Sequence, residues 1–228
     1  MCFWISILLM ASCKLPEKKA VNKSVFTEPV LAINQGKQVL QNGDLVLRTD
    51  DDVVSASLRN FSVTDKSYSH CGIVYYEDSA WYVYHLMAGD ENPSDLMERE
   101  RFESFVSPNR KSRFGIYRYE LSTDEKVNLQ TEVYRFMANH TLFDKDFDLK
   151  TDDKLYCAEM VYKGLKTATN DRVILPVTVR KNFDPKRYNK TGPQLKRFEF
   201  VALDNLFLNP FCKEIKRFRY PNTSLERE

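Results

Sequence analysis

A cysteine and two histidines carry the chemistry this sequence can offer. The chain has five cysteines and three histidines in 228 residues. Cys157 lies in Lys154-Leu155-Tyr156-Cys157-Ala158-Glu159-Met160-Val161-Tyr162, a run with helical periodicity. On a helix, Cys157, Met160, Val161 and Gly164 share one face, while Glu159, Tyr162, Lys163 and Lys166 lie mostly toward the other. Asp152 and Asp153 are candidate N-caps, so Cys157 is expected in or near the first turn with its thiol toward the packed side. The unpaired N–H groups and dipole of a helix start stabilise a thiolate. A thiolate beside an imidazole is a nucleophile, and the same N–H groups can hold an oxyanion.

The imidazoles must then be brought to it. Residues 69–76 and 80–87 are rich in aromatic and β-branched side chains, with Glu77-Asp78-Ser79 between them. That is the pattern of a hairpin. A loop of two or four residues centred on Asp78-Ser79 sets Gly72 opposite His85. His70, two residues from Gly72, then shares the face of His85, with the backbones about 7–8 Å apart. Gly72 adds no side chain between them. A three-residue loop would send the two rings to opposite faces, because a strand repeats every two residues. Plain packing roles also exist: a free cysteine on an apolar helix face and a histidine in an aromatic hairpin are common core residues. Cys71 alternates away from His70 and reads as core. His140 ends an amphipathic helix, where a cation suits the C-terminal dipole. Cys212 has no evident partner. No CxxC, HxxxH or paired-acid spacing favours a metal.

The remaining elements frame this pair of segments. Residues 30–41 suit a short helix, and Gly43-Asp44-Leu45-Val46-Leu47-Arg48 a turn followed by a strand. Residues 115–121 suit another strand. Ser122-Thr123-Asp124-Glu125 matches a capping box. Behind it Leu129, Val133, Phe136 and Met137 mark one buried face of a helix running to about Asn139. A second helix is expected over 155–168 and a late strand over 198–202. Hairpins mixed with helices point to an α+β fold with an antiparallel sheet.

Four segments occur in order: Gly43-Asp44-Leu45-Val46-Leu47-Arg48, Ser69-His70-Cys71-Gly72-Ile73-Val74, Phe143-Asp144-Lys145-Asp146-Phe147-Asp148, and Tyr156-Cys157-Ala158-Glu159-Met160-Val161-Tyr162-Lys163. Together they resemble the circularly permuted, YiiX/YebB-like branch of the NlpC/P60 papain-like cysteine hydrolases, over roughly residues 36–212. The resemblance implies a papain-like fold, in which an antiparallel sheet or partial barrel packs against the cysteine-bearing helix. It implies Cys157 as nucleophile, His70 as general base and His85 as the residue that orients His70, at a position where many permuted relatives carry an acid. Asp144, Asp146, Phe147 and Asp148 then form a structured approach to the cysteine helix. The implied reaction is acyl transfer with no metal or organic cofactor.

The N-terminus reads as an address. Residues 1–12 are almost wholly apolar, uncharged and too short to span a bilayer. They end in small residues before Cys13, as in a bacterial lipoprotein signal, so Cys13 is the expected lipidation site. Residues 13–29 then form a tether and 30–228 a single domain. Cys71, Cys157 and Cys212 would remain in an exported, lipid-anchored domain of the cell envelope. A hydrophobic share of 43% and a net charge of +2 exclude general disorder and give no basis for nucleic-acid binding. The expected substrate is a small cell-wall-type peptide cleaved at an amide. The alternatives are a lipid-directed acyl hydrolase or acyltransferase, and a binding module that has lost activity. The aromatic hairpin residues Tyr75, Tyr76, Trp81, Tyr82 and Tyr84 suit an acyl groove or a core. The late basic stretch (Lys186, Arg187, Lys190, Lys196, Arg197, Lys213, Lys216, Arg217, Arg219) reads as a solvated surface.

Overall fold

A computed structural model describes residues 27–50, 55, 58–89, 91–109, 111–183 and 195–221. Cys13, the signal segment and nearly all of the expected tether, with Lys186, Arg187 and Lys190, lie outside the described residues.

The chain is a mixed α+β fold built on one antiparallel sheet. Helix α1 (Pro29–Val39) leads into β1 (Asp44–Asp50), and the hairpin strands β2 (His70–Glu77) and β3 (Ala80–His85) follow. Next come β4 (Glu98–Arg101), α2 (Phe102–Phe105) and β5 (Lys111–Tyr119). Helix α3 (Thr123–Ala138), the short parallel pair β6 (Leu142–Phe143) and β7 (Lys154–Leu155), and helix α4 (Cys157–Ala168) lie beyond. The chain closes with β8 (Thr178–Phe183), β9 (Leu195–Phe200), α5 (Leu203–Phe207) and β10 (Cys212–Arg219). The large sheet has the order β10-β5-β1-β2-β3-β4.

The hairpin forms in the register its sequence requires. Ile73 pairs with Tyr84 and Glu77 with Ala80, leaving the two-residue loop Asp78-Ser79. Both loop residues have positive φ, 48° and 63°, as a tight hairpin turn demands. At Gly72 a Cβ would meet Val83 Cγ1 at 2.5 Å and His85 Cβ at 3.0 Å, so a glycine is what lets the strands close there.

Alternation then divides the sheet into two faces. Leu45, Leu47, Cys71, Ile73 and Tyr117 join one apolar cluster with Leu129, Val133 and Phe136 of α3 and Met160, Val161 and Leu165 of α4. Val46, Val74, Val83, Phe114 and Ile116 join a second with Phe102, Phe105 and Ala32. Helix α3 starts at the expected capping box: Glu125 N–H donates to Ser122 Oγ at 3.2 Å, and Ser122 N–H donates to Glu125 Oε2 at 2.8 Å. His140 follows that helix in a left-handed conformation, φ 52°.

One expectation is corrected. The late strand starts earlier than predicted, at Leu195, and ends at Phe200. Residues 212–219 form the edge strand β10 beside β5, with Phe218 stacked on Phe114 at 4.4 Å, so the basic side chains there decorate a strand. An edge rich in Lys and Arg resists pairing with another chain.

Candidate active site

His70 and His85 meet. His70 Nε2 lies 3.0 Å from His85 Nδ1, with the rings edge to face at 5.0 Å. Both are buried, at 5% and 1% exposure, and both pack on Phe105. They occupy the face of Val46 and Val74, where His70 pairs across the strands with Arg48. Among the described residues, His70 Nδ1 has no hydrogen-bond partner.

Behind the histidines lies a charged cluster that the sequence reading did not find. Arg48 is 1% exposed; its Nε donates to Asp50 Oδ2 at 3.1 Å and its Nη1 to the Phe105 carbonyl at 3.1 Å. Its Nη1 is 3.6 Å from Glu100 Oε2. His85 Nε2 is 3.3 Å from Glu100 Oε2 and 3.8 Å from Glu98 Oε2. Strand β4 delivers both acids, with Glu98 directly opposite His85. Arg48 ends a motif already singled out, and Glu98 and Glu100 alternate in Glu98-Arg99-Glu100-Arg101. Yet a four-residue strand of charged side chains carries no apolar period by which to find it. A cavity of about 300 Å³ opens here, walled by Arg48, His85, Glu91, Glu98, Arg99 and Glu100.

Burial, then the nearby Arg48 cation and His85, lower the pKa of His70 well below its ordinary value. Burial also lowers that of His85, against the pull of Glu100. Both rings are therefore neutral at pH 7. Glu100 is held below the usual carboxylate range: burial would raise it, but His85 and Arg48 more than offset that.

Cys157 is the first residue of α4, with Tyr156 at the N-cap and Glu159 reaching back to Tyr156 N–H at 3.3 Å. This corrects the expected caps: Asp152 and Asp153 lie upstream, and the helix begins only after β7. Glu159 is also fully buried, against the expectation that it faces outward. Its hydrogen bond with Tyr156 and an ion pair with Lys163 at 2.9 Å compensate that burial, which still raises its pKa to about 7.

Cys157 lies on the helix-packed face, in the same apolar cluster as Cys71. The neighbouring Cys71 side chain lowers its pKa, and against the cost of burial so do the backbone N–H groups around the helix start. Cys71 goes the other way: burial raises it well above the usual value. Burial likewise pushes Cys212 up to about 12. All three thiols are free.

The structure thus joins His70 to His85 directly, while no hydrogen bond among the described residues joins Cys157 to His70. Strand alternation is the reason: His70 and Cys71 are consecutive and point to opposite faces. Cys157 nonetheless joins the same apolar cluster as Cys71, the residue next to His70. Cys71 is core, as expected, fully buried in the cluster that also holds the candidate nucleophile. Asp144 accepts from the N–H groups of Asp146 at 2.9 Å and Asp148 at 2.5 Å, which folds the segment approaching β7 and α4.

Comparison with solved structures finds the metalloprotein yiiX from Escherichia coli O157:H7 (DUF1105). It aligns with a TM-score of 0.59 and 19% identity, over 79% of this chain and 98% of that one. This is a likeness of fold. No protein-family model matches the chain, and no curated protein does. Among the described residues, no group of three or more His, Cys, Asp or Glu side chains is arranged to hold a metal ion. The nearest approach, His85 with Glu98 and Glu100, does not fit one, because the Arg48 guanidinium already occupies the space beside Glu100. Among the same residues, no helix is long and apolar enough to cross a membrane.

Proposed function

We propose that the chain is a thiol-dependent hydrolase of the permuted NlpC/P60 papain-like type, cleaving an amide bond in a small peptide. One observation carries the reading. A buried neutral histidine pair, with Nδ1 of His70 left open, stands at the start of β2, and the next residue, Cys71, packs in the same apolar cluster as Cys157, a helix-start thiol of lowered pKa. The fold likeness to yiiX supports it, as does the order of the four sequence segments.

In this reading Cys157 Sγ attacks the scissile carbonyl carbon and its proton passes to His70 Nδ1. The N–H groups of Cys157 and Ala158 receive the oxyanion. Collapse of the tetrahedral adduct breaks the C–N bond, and His70 returns the proton to the leaving amine. Water then attacks the thioester, giving its proton to His70, and the carboxylic acid departs as Sγ is released. His85 orients His70 through Nε2. Apo structures often hold such contacts long until substrate tightens them.

A peptide is favoured over an acyl chain because the cavity at His85 is walled by ionised groups. Attachment through Cys13 and residence in the cell envelope are parts of the same proposal, supported by the sequence of residues 1–13.

The test is incubation of the full chain with cell-wall peptides and with long-chain acyl esters, read by mass spectrometry. Amide cleavage that vanishes in Cys157→Ala is the expected result. Ester turnover alone would assign the lipid-directed activity instead. No turnover of either class, with no acyl adduct on Cys157, would leave a binding module.

A further inference from the structure

We propose that Glu100 is a positioning residue: its carboxylate fixes the His85–His70 pair in the one proton order that leaves His70 Nδ1 with a lone pair. That this lone pair serves Cys157 rests on the hydrolase reading above.

A neutral imidazole has one N–H and one lone pair, so two imidazoles in contact have only two internally consistent orders. In the first, His85 carries its proton on Nε2. Its Nδ1 must then accept, His70 Nε2 must donate, and His70 Nδ1 is an acceptor. In the second order every proton is reversed. His85 Nε2 would then present a lone pair to Glu100 Oε2 at 3.3 Å. Two acceptors would face one another at a site where His85 is only 1% exposed. The carboxylate therefore selects the first order. His85 Nε2 has no better acceptor: Glu98 Oε2 is further away, at 3.8 Å.

The neighbouring charges keep Glu100 able to do this. Arg48, projecting from β1, lies 3.6 Å from its Oε2 and is itself tied to Asp50 and the Phe105 carbonyl. Lys111 of β5 adds positive charge, within 4.0 Å of Asp50. Glu91, which precedes β4, and Glu98 are the negative groups facing the same space, with Glu91 3.9 Å from Arg48 Nη2. The Glu100 side chain is 32% exposed, so it has room to turn and shorten the 3.3 Å contact.

The experiment uses the full chain labelled with 15N-histidine, as wild type, Glu100→Gln and Glu100→Ala. Long-range 1H–15N correlation reads each ring's tautomer, and iodoacetamide reads the Cys157 alkylation rate against pH. In the wild type both histidines should be protonated at Nε2. Glu100→Ala should bring in the reversed tautomers and slow Cys157 at pH 7 by at least about tenfold. Glu100→Gln, whose amide oxygen still accepts, should keep the tautomer order and most of the rate. Tautomers unchanged in Glu100→Ala would overturn the proposal, and circular dichroism of each variant excludes misfolding as the cause. Tautomers that shift while Cys157 stays indifferent to them would uphold the hold on the histidines and overturn the thiol reading instead.

Discussion

The face of the sheet that packs on α3 and α4 is lined by Leu45, Leu47, Cys71, Ile73 and Tyr117. The opposite face carries valines and phenylalanines along its middle and ends in Arg48, His70, His85, Glu98 and Glu100. The first face supplies rigidity and the second supplies ionisable groups. The thiol belongs to the first and the imidazoles to the second, and the two faces are linked in sequence at the start of β2, where His70 and Cys71 are consecutive. A nucleophile on the apolar side gains a low-dielectric support and a helix start. A histidine pair on the polar side keeps carboxylate and guanidinium partners that an apolar core would not provide. The difference shows how adjacent residues, His70 and Cys71, come to lie in two different environments.

The sharpest way to break this division is Cys157→Ala, which should lower amide hydrolysis by about 10⁴-fold or more while leaving the urea midpoint nearly unchanged. Residual turnover near wild type would remove the thiol from the chemistry. Next in size is Arg48→Met. It leaves Asp50 and Glu100 with Lys111 as the remaining cation, 4.0 Å from Asp50, and the expected loss of stability is about 3 kcal/mol by urea denaturation. A neutral effect would mean that the polar end of the second face is already solvated. Gly72→Ala should cost about 2 kcal/mol, since the new methyl meets Val83, the Tyr84 carbonyl and His85 at 3.0 Å or less. It should also separate the two imidazole signals in NMR; tolerance of the methyl would show that β2 and β3 can part there. A smaller effect is expected from Cys71→Ala. With the neighbouring thiol gone, Cys157 should titrate higher and alkylate a few-fold more slowly at pH 7.

The least effect is on stability against pH, and it has two opposed parts. His70 and His85 titrate below 6.5 when folded, so the unfolded chain binds more protons there. Their contribution is full above pH 6.5 and is lost as pH falls through their folded values. Glu159 is raised to about 7 from an ordinary 4.5, so the folded chain binds more protons between those values. It therefore gains stability as pH falls from 7 toward 4.5. In Glu159→Gln the opposing part is gone, and the urea midpoint should fall more steeply on acidification from pH 7 to 5 than in wild type. An equal or shallower fall would contradict the sign assigned to one of the groups.

Much of the frame was legible because it is local. The Asp78-Ser79 turn fixed the parity that brings His70 to His85, and Ser122 with Glu125 marked the start of α3 to the residue. Other features depend on distant partners. Nothing near Glu159 shows that Lys163 and Tyr156 compensate its burial, so its polarity pointed outward. Strand β4 reads as four charged residues, and only its pairing with β3 gives Glu100 a role. Strand β10 hides in basic side chains for the same reason. The proximity of Cys157 to Cys71 needs the packing of α4 on β2, which no spacing within either segment contains. The start of α4 was misjudged because aspartates are good caps, whereas here β7 holds the chain extended through Leu155 and Tyr156 takes the N-cap.

The central claim is that Cys157 is a thiol activated beside His70, and it is tested most directly without any substrate. Alkylation rates of Cys71, Cys157 and Cys212 in the full chain, followed against pH by peptide mass spectrometry, should separate the three. Cys157 is expected to react well below pH 8.5, with Cys71 and Cys212 nearly inert, and to slow several-fold in His70→Ala. Three thiols of like, slow reactivity, or a Cys157 rate unmoved by loss of His70, would contradict it.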